Sequence, residues 1–143
     1  MNIDEFIAHL KDSIRPFEYA DPIATRYFML SYDQSVSYFK DDPRKYIIAA
    51  LHARGAHDMK SYVASTIIFK APATVGRAQI AINNWRNFLI QIFEGEDNFR
   101  LMICVVKQYA NTLNPIFLNV PDKQIEFDFH NFREEVIEKF EDN

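Results

Sequence analysis

Residues 74–93 read TVGRAQIAINNWRNFLIQIF. Val75, Ala78, Ile82, Trp85, Leu89 and Ile92 recur at steps of three and four, the spacing that lines side chains along one stripe of an α-helix. The stretch therefore predicts a long central helix that turns the chain's only tryptophan toward a core. On its far side lie Asn83, Asn84, Asn87 and Gln91, with Ile80 and Ile90 among them. A solvent-facing helix normally carries Lys and Glu there, which form helices more readily than Asn. A strip of neutral amides with two isoleucines predicts a covered face. The cover is either another part of the same domain, such as residues 25–40, or a second chain, since desolvating amides costs less than desolvating charges.

Working outward, residues 61–71, SYVASTIIFKA, set Val63, Ser65, Ile67 and Phe69 against Tyr62, Ala64, Thr66 and Ile68. Both rows are largely apolar, which predicts a central strand covered on both faces and ended by Pro72. Beyond the helix, residues 94–98 read as an acidic turn, and FRLMICVV over 99–106 is a second inner strand, too short and too continuously apolar for a typical helix. Were these two strands parallel neighbours, the unit would be a right-handed crossover. Cys104, inside that run, is expected as a buried core thiol.

Toward the N-terminus, Asn2 followed by Glu5 has the form of a capping box, and Ile3, Phe6, Ile7, Leu10 and Ile14 give the helix after it one apolar face, ending before Pro16. Residues 15–22 read as a connector. Residues 25–40 are rich in β-formers and predict two short strands about Asp33-Gln34, although a helix fits the same run. Asp42-Pro43 predicts the cap and first turn of a second helix that buries Tyr46, Ile47, Ala50 and Leu51 and stops at Gly55. Toward the C-terminus, Asn114-Pro115 breaks the chain. Residues 116–120 and 124–129 then flank Pro121-Asp122-Lys123 as a hairpin in which Ile125, Phe127 and Phe129 alternate with Glu126 and Asp128. Asn131 and Glu134 repeat the capping-box spacing ahead of a last helix carrying Phe132, Val136, Ile137 and Phe140.

This interleaving lacks regular βα alternation. It predicts an α+β fold: one domain over 1–143, with a mixed or antiparallel sheet of four to six strands and about four helices largely on one side. At 143 residues and 48% hydrophobic composition the chain can bury a core without staples, and its one cysteine excludes an intrachain disulfide. The N-terminus lacks the apolar run of a secretory signal, and no segment approaches the roughly 20 apolar residues of a membrane span. A cytoplasmic protein with no membrane partner is expected.

Charge is grouped. Residues 1–42 carry 4 basic and 8 acidic groups, 43–93 carry 7 and 1, and 94–143 carry 5 and 11, so the thirds are −4, +6 and −6 within a net charge of −4. Such blocks either neutralise one another across packed elements or make a two-faced surface. The basic block, Arg44, Lys45, Arg54, Lys60, Lys70, Arg77 and Arg86, would serve an anion, with Tyr46, Tyr62 and Trp85 able to stack bases. The acidic net charge and the acidic C-terminal third oppose nucleic acid as the partner.

His52, Arg54, His57 and Asp58 are the densest reactive cluster, but the five-residue histidine spacing matches neither helical metal ligands nor a zinc finger, and a helix C-terminus attracts His and Arg without chemistry. No nucleophile elbow or glycine-rich phosphate loop is present, with Gly only at 55, 76 and 95. No cofactor, metal site or catalytic residue is expected. By elimination, the sequence points to a small acidic inhibitor that binds another protein with a basic surface, of the toxin-immunity or phage anti-defence type. It would contact that partner through Asn83, Asn84, Asn87 and Gln91 and through Glu134, Glu135 and Glu138. A homo-oligomer is a further candidate partner, with no face assigned to it. A nucleic-acid or nucleotide-ligand binder using the basic block, and an enzyme using His52, His57 and Asp58, are the alternatives.

Overall fold

Asn2 opens the first helix as its spacing predicts: its Oδ1 accepts a hydrogen bond from the Glu5 amide at 2.8 Å, one of the amides a helix start leaves unpaired. The computed structural model describes residues 2–13, 23–33, 42–94, 100–106 and 123–141. Its elements are α1 (Ile3–Ser13), β1 (Ile23–Tyr32), α2 (Pro43–Ala53), β2 (His57–Lys60), β3 (Thr66–Thr74), α3 (Ala78–Ile92), β4 (Leu101–Val106) and α4 (Lys123–Glu141). Ile14, the connector over 15–22, the second strand expected over 34–40, the acidic turn beyond Glu94, the break at Asn114-Pro115 and the strand over 116–120 lie outside the described residues.

The fold is α+β. The four strands form one antiparallel sheet in the order β2-β3-β1-β4, with four helices packed against it. Phe28 and Leu30 of β1 lie opposite Phe69 and Ile67 of β3 on one side and Val105 and Ile103 of β4 on the other, and this face meets the helices. The outward face carries Tyr27, Met29, Ile68 and Cys104, all half-exposed.

α2 is the most deeply enclosed helix, with Tyr46, Ile47, Ile48, Ala49, Ala50 and Leu51 all buried. Its ends follow the sequence reading. Asp42 accepts from the Arg44 amide with Pro43 in the first turn. At the other end Gly55 (φ +94°) reverses the chain, and the Gly55 amide bonds to His52 O at 3.0 Å and the Ala56 amide to Leu51 O at 3.0 Å, the paired bonds of a Schellman motif.

Several expectations are corrected. The strand expected over 61–71 is shifted: residues 61–65 turn between β2 and β3, with Ser65 at φ +67° and the Ser61 hydroxyl reaching Thr66 O at 2.9 Å. Pro72 does not end β3. It pairs with Thr25 of β1, while β2 pairs with β3 only as far as Lys70, so the proline's missing N–H faces a side that no strand occupies among the described residues. One face of β3 is buried and the other half-exposed, not two covered faces.

β3 and β4 are not neighbours. β1 lies between them, antiparallel to both, so they run parallel with one strand interposed and α3 as the connection. Among the described residues β4 stands at one end of the sheet, and Cys104 is half-exposed, not buried. The hairpin through 124–129 is instead the start of α4, and Asn131 is an exposed mid-helix residue, not a cap. Ile125, Phe129, Phe132, Val136 and Phe140 recur at steps of three and four, with Phe129 and Val136 fully in the core. That helical stripe overrides the local alternation.

Candidate protein-binding surfaces

α3 is seated by aromatics. The Trp85 ring lies 5.2 Å from that of Phe69, 5.9 Å from Phe28 and 6.0 Å from Phe88, and the Arg54 guanidinium sits 4.7 Å over the Phe88 ring. Its start is fixed from the sheet: Arg26 donates to Thr74 O at 3.3 Å and to Gly76 O at 2.5 Å, where Gly76 holds φ +125°. The helix begins at Ala78, so Val75 lies ahead of it and is exposed. The buried stripe is Ala81, Trp85, Phe88 and Leu89.

Opposite that stripe the surface is open. Ile80 is 49% exposed and Ile90 57%; Asn83, Asn87 and Gln91 are exposed and Asn84 half-buried. Residues 25–32, expected as a cover, belong to the sheet. Gln79 Nε2 donates to Asn83 Oδ1 at 2.9 Å along the face, and Arg86, the one charged residue of α3, lies beside the strip and not within it.

α4 is seated differently. It packs on α2, α1 and β2 partly through charge: Lys45 reaches Glu135 at 3.3 Å and Lys139 reaches Asp4 at 2.7 Å, and Arg133 Nη1 donates to Met59 O at 2.7 Å. Arg44 and Lys45 lie 4.6 and 5.3 Å over the Phe132 ring. On its outward side Asn131, Glu134, Glu138 and Glu141 form one exposed line with Phe127, which is 60% exposed. Glu134 lies 3.3 Å from Arg133, whereas Glu138 and Glu141 have no ion pair among the described residues. The structure thus sets the amide strip and the acidic line on separate helices with different supports, α3 on β3 and β4 and α4 on α2 and β2.

The basic block is dispersed. Arg44 is tied to Asp42 at 2.6 Å, Lys45 to Glu135 and Lys70 to Asp58 at 3.1 Å, while Arg54 stacks on Phe88 and Trp85. Lys60, Arg77 and Arg86 are exposed with no ion pair among the described residues. Tyr46 and Trp85 are core residues and present no ring to a base. Burial pushes the Asp42 carboxyl up, but hydrogen bonds from the Arg44 side chain and amide outweigh it and hold it below the ordinary carboxylate range. The side-chain bond in turn raises Arg44 against the opposing effect of its burial. The Arg44 hydrogen bond with Asp42 occupies one side of a cleft of about 360 Å³ that also touches Tyr32, Ser61, Ser65, Gln124 and Asp128. The cleft, which no sequence signal marked, is lined by residues from four separate segments of the chain.

The imidazoles have separate surroundings. His52 is half-buried with its ring 5.0 Å from Phe140, and burial lowers its pKa against the opposing charge of Glu141. His57 is exposed, its Nδ1 3.3 Å from Gly55 O. Asp58, at φ +51° where β2 bulges, is held below the ordinary carboxyl range by its hydrogen bond with Lys70. No three metal-ligating side chains gather among the described residues, and no helix there is long and apolar enough to cross a membrane. Compared with known families, curated proteins and solved structures, the chain has no match.

Proposed function

We propose that this protein acts by binding another protein: an inhibitor, of the toxin-neutralising or phage anti-defence kind, that occludes a basic surface of its partner. The observation that carries this reading is the α4 line Phe127, Asn131, Glu134, Glu138 and Glu141, exposed along one side of the helix. Elsewhere opposite charges meet across packed elements, as Lys45 does Glu135 and Lys139 does Asp4. The outward carboxylates are what that pairing leaves over.

Carboxylates on a rigid helix speed encounter with a cationic surface, and a nearby exposed ring supplies apolar contact area once the two meet. Occlusion then needs only that the helix lie across the partner's working surface. The test is co-purification with the tagged full chain from its own host. Capture should fall about tenfold or more between roughly 0.05 and 0.5 M salt. Glu134→Lys with Glu138→Lys and Glu141→Lys should abolish it while leaving the fold intact by circular dichroism. Capture indifferent to both would sink the reading.

A further inference from the structure

The exposed strip of α3 has an internal symmetry that bears on what covers it. Counted from Trp85, Ile80 and Ile90 stand five residues to either side, and Asn83 and Asn87 two residues to either side. At about 100° per residue, the two asparagines fall within about 20° of the strip's midline and the two isoleucines within about 40°, one on each side. Ile80, Asn83, Asn87 and Ile90 are spaced three, four and three, the seam spacing of a two-helix coiled coil.

Across a two-fold axis residue i touches j and j touches i, so the mirrored order sets isoleucine against isoleucine and amide against amide, which makes this surface self-complementary. We propose that the α3 strip is a homodimer interface, the helix lying antiparallel against α3 of a second copy, with Ile80 beside the copy's Ile90 and Asn83 beside its Asn87. This goes beyond the partner surface on α4 and does not depend on it.

Charge selects the antiparallel direction. Arg77, ahead of the helix, and Glu94, after it, are both exposed. An antiparallel pair brings each Arg77 toward the other copy's Glu94, whereas a parallel pair sets like against like. Arg86 lies about 80° from the midline, at the rim, where its side chain turns to water. The central asparagines contribute register, since a misaligned pair leaves their amides facing isoleucine. The 15-residue helix is only about 22 Å long, so the interface belongs to the small, weak class and dimerisation is concentration-dependent.

Sedimentation equilibrium of the full chain is expected to show a reversible monomer–dimer transition at micromolar concentrations, abolished by Ile80→Lys with Ile90→Lys. Both side chains are about half exposed, so the variant's unfolding midpoint should stay near that of the parent monomer. Register is read by oxidation in a Cys104→Ser background. Ile80→Cys mixed with Ile90→Cys forms an intermolecular disulfide, and neither forms one alone, because in this arrangement like positions are about 15 Å apart along the axis and a disulfide spans only about 4–7 Å between Cα atoms. Three results would overturn the proposal: a monomer up to about 1 mM, disulfides from the single variants, or a dimer that survives the double lysine substitution. If the chain is monomeric and the lysine variant loses a captured protein, the strip serves a different partner.

Discussion

α3 and α4 both lie on the covered side of the sheet, yet they are held by different physics. α3 docks through Trp85, Phe88 and Leu89 against Phe28 and Phe69, with no ion pair along its length among the described residues. α4 adds to its buried Phe129 and Val136 a fringe of charge: Lys45 with Glu135, Lys139 with Asp4, and Arg44 over Phe132. The outer faces differ too, neutral amides and isoleucines on one and carboxylates on the other. Burial of aromatic area is strong and undirected, whereas half-exposed ion pairs are weak but specify which residues face each other. The difference teaches that grouped charge in this chain serves docking on α4, while the uncharged strip of α3 is left out of that scheme.

The comparison breaks first at Trp85. Trp85→Ala should cost about 3–5 kcal/mol in urea unfolding, the range for truncating a large buried ring; a loss under about 1 kcal/mol would mean that α3 is not held by its aromatics. The next effects are at the two ends of α2, which α4 packs on. Gly55→Ala should cost about 1–2 kcal/mol, the left-handed backbone penalty, because the added Cβ would meet Pro72 at an ordinary 3.7 Å and so carries strain without a clash. Asp42→Ala should cost about 1 kcal/mol of cap. The Asp42 carboxyl is held below its ordinary 3.8 in the folded chain, so its contribution is present above that pH and fades as pH falls below it. Unfolding midpoints from pH 7 down to 2.5 should therefore converge for parent and variant at the acid end.

Smaller still are the α4 ion pairs. Lys45→Met and Lys139→Met should each change stability by no more than about 1 kcal/mol, since their partners are largely exposed, and salt should change the parent little. A larger loss would make charge a principal support of α4. The smallest effect belongs to His52. Burial favours its neutral ring in the folded chain, so the unfolded chain takes up the proton first and stability declines as pH drops through the ordinary imidazole value of 6.5. His52→Gln should flatten that decline.

Which features were legible in the sequence follows the same division. Local rules that one residue enforces read correctly: the Asn2 and Asp42 caps, the Gly55 stop, and the apolar faces of α1 and α2. Long-range pairing did not. β2 is four residues with only Met59 buried, too short for any alternation to register. Nothing local in FRLMICVV shows that it pairs with β1 and not with β3. The period of two over 125–129 competed with a period near 3.6 over 125–140, and the longer pattern won because it alone buries Phe129, Val136 and their neighbours together. Of the surfaces, the neutral strip of α3 and the acidic residues of α4 were nameable in advance. Their placement on two different helices was legible too; what each helix packs on was not, because it depends on where the sheet sets each helix.

The most direct test of a binding role for these faces is to compare partner capture, at one salt concentration, by the parent, the Glu134→Lys, Glu138→Lys, Glu141→Lys variant and the Ile80→Lys, Ile90→Lys variant, all shown to be folded. Capture should vanish in the first variant and persist in the second, weakened only by the loss of paired copies. Undiminished capture by the reversed α4 would contradict the account.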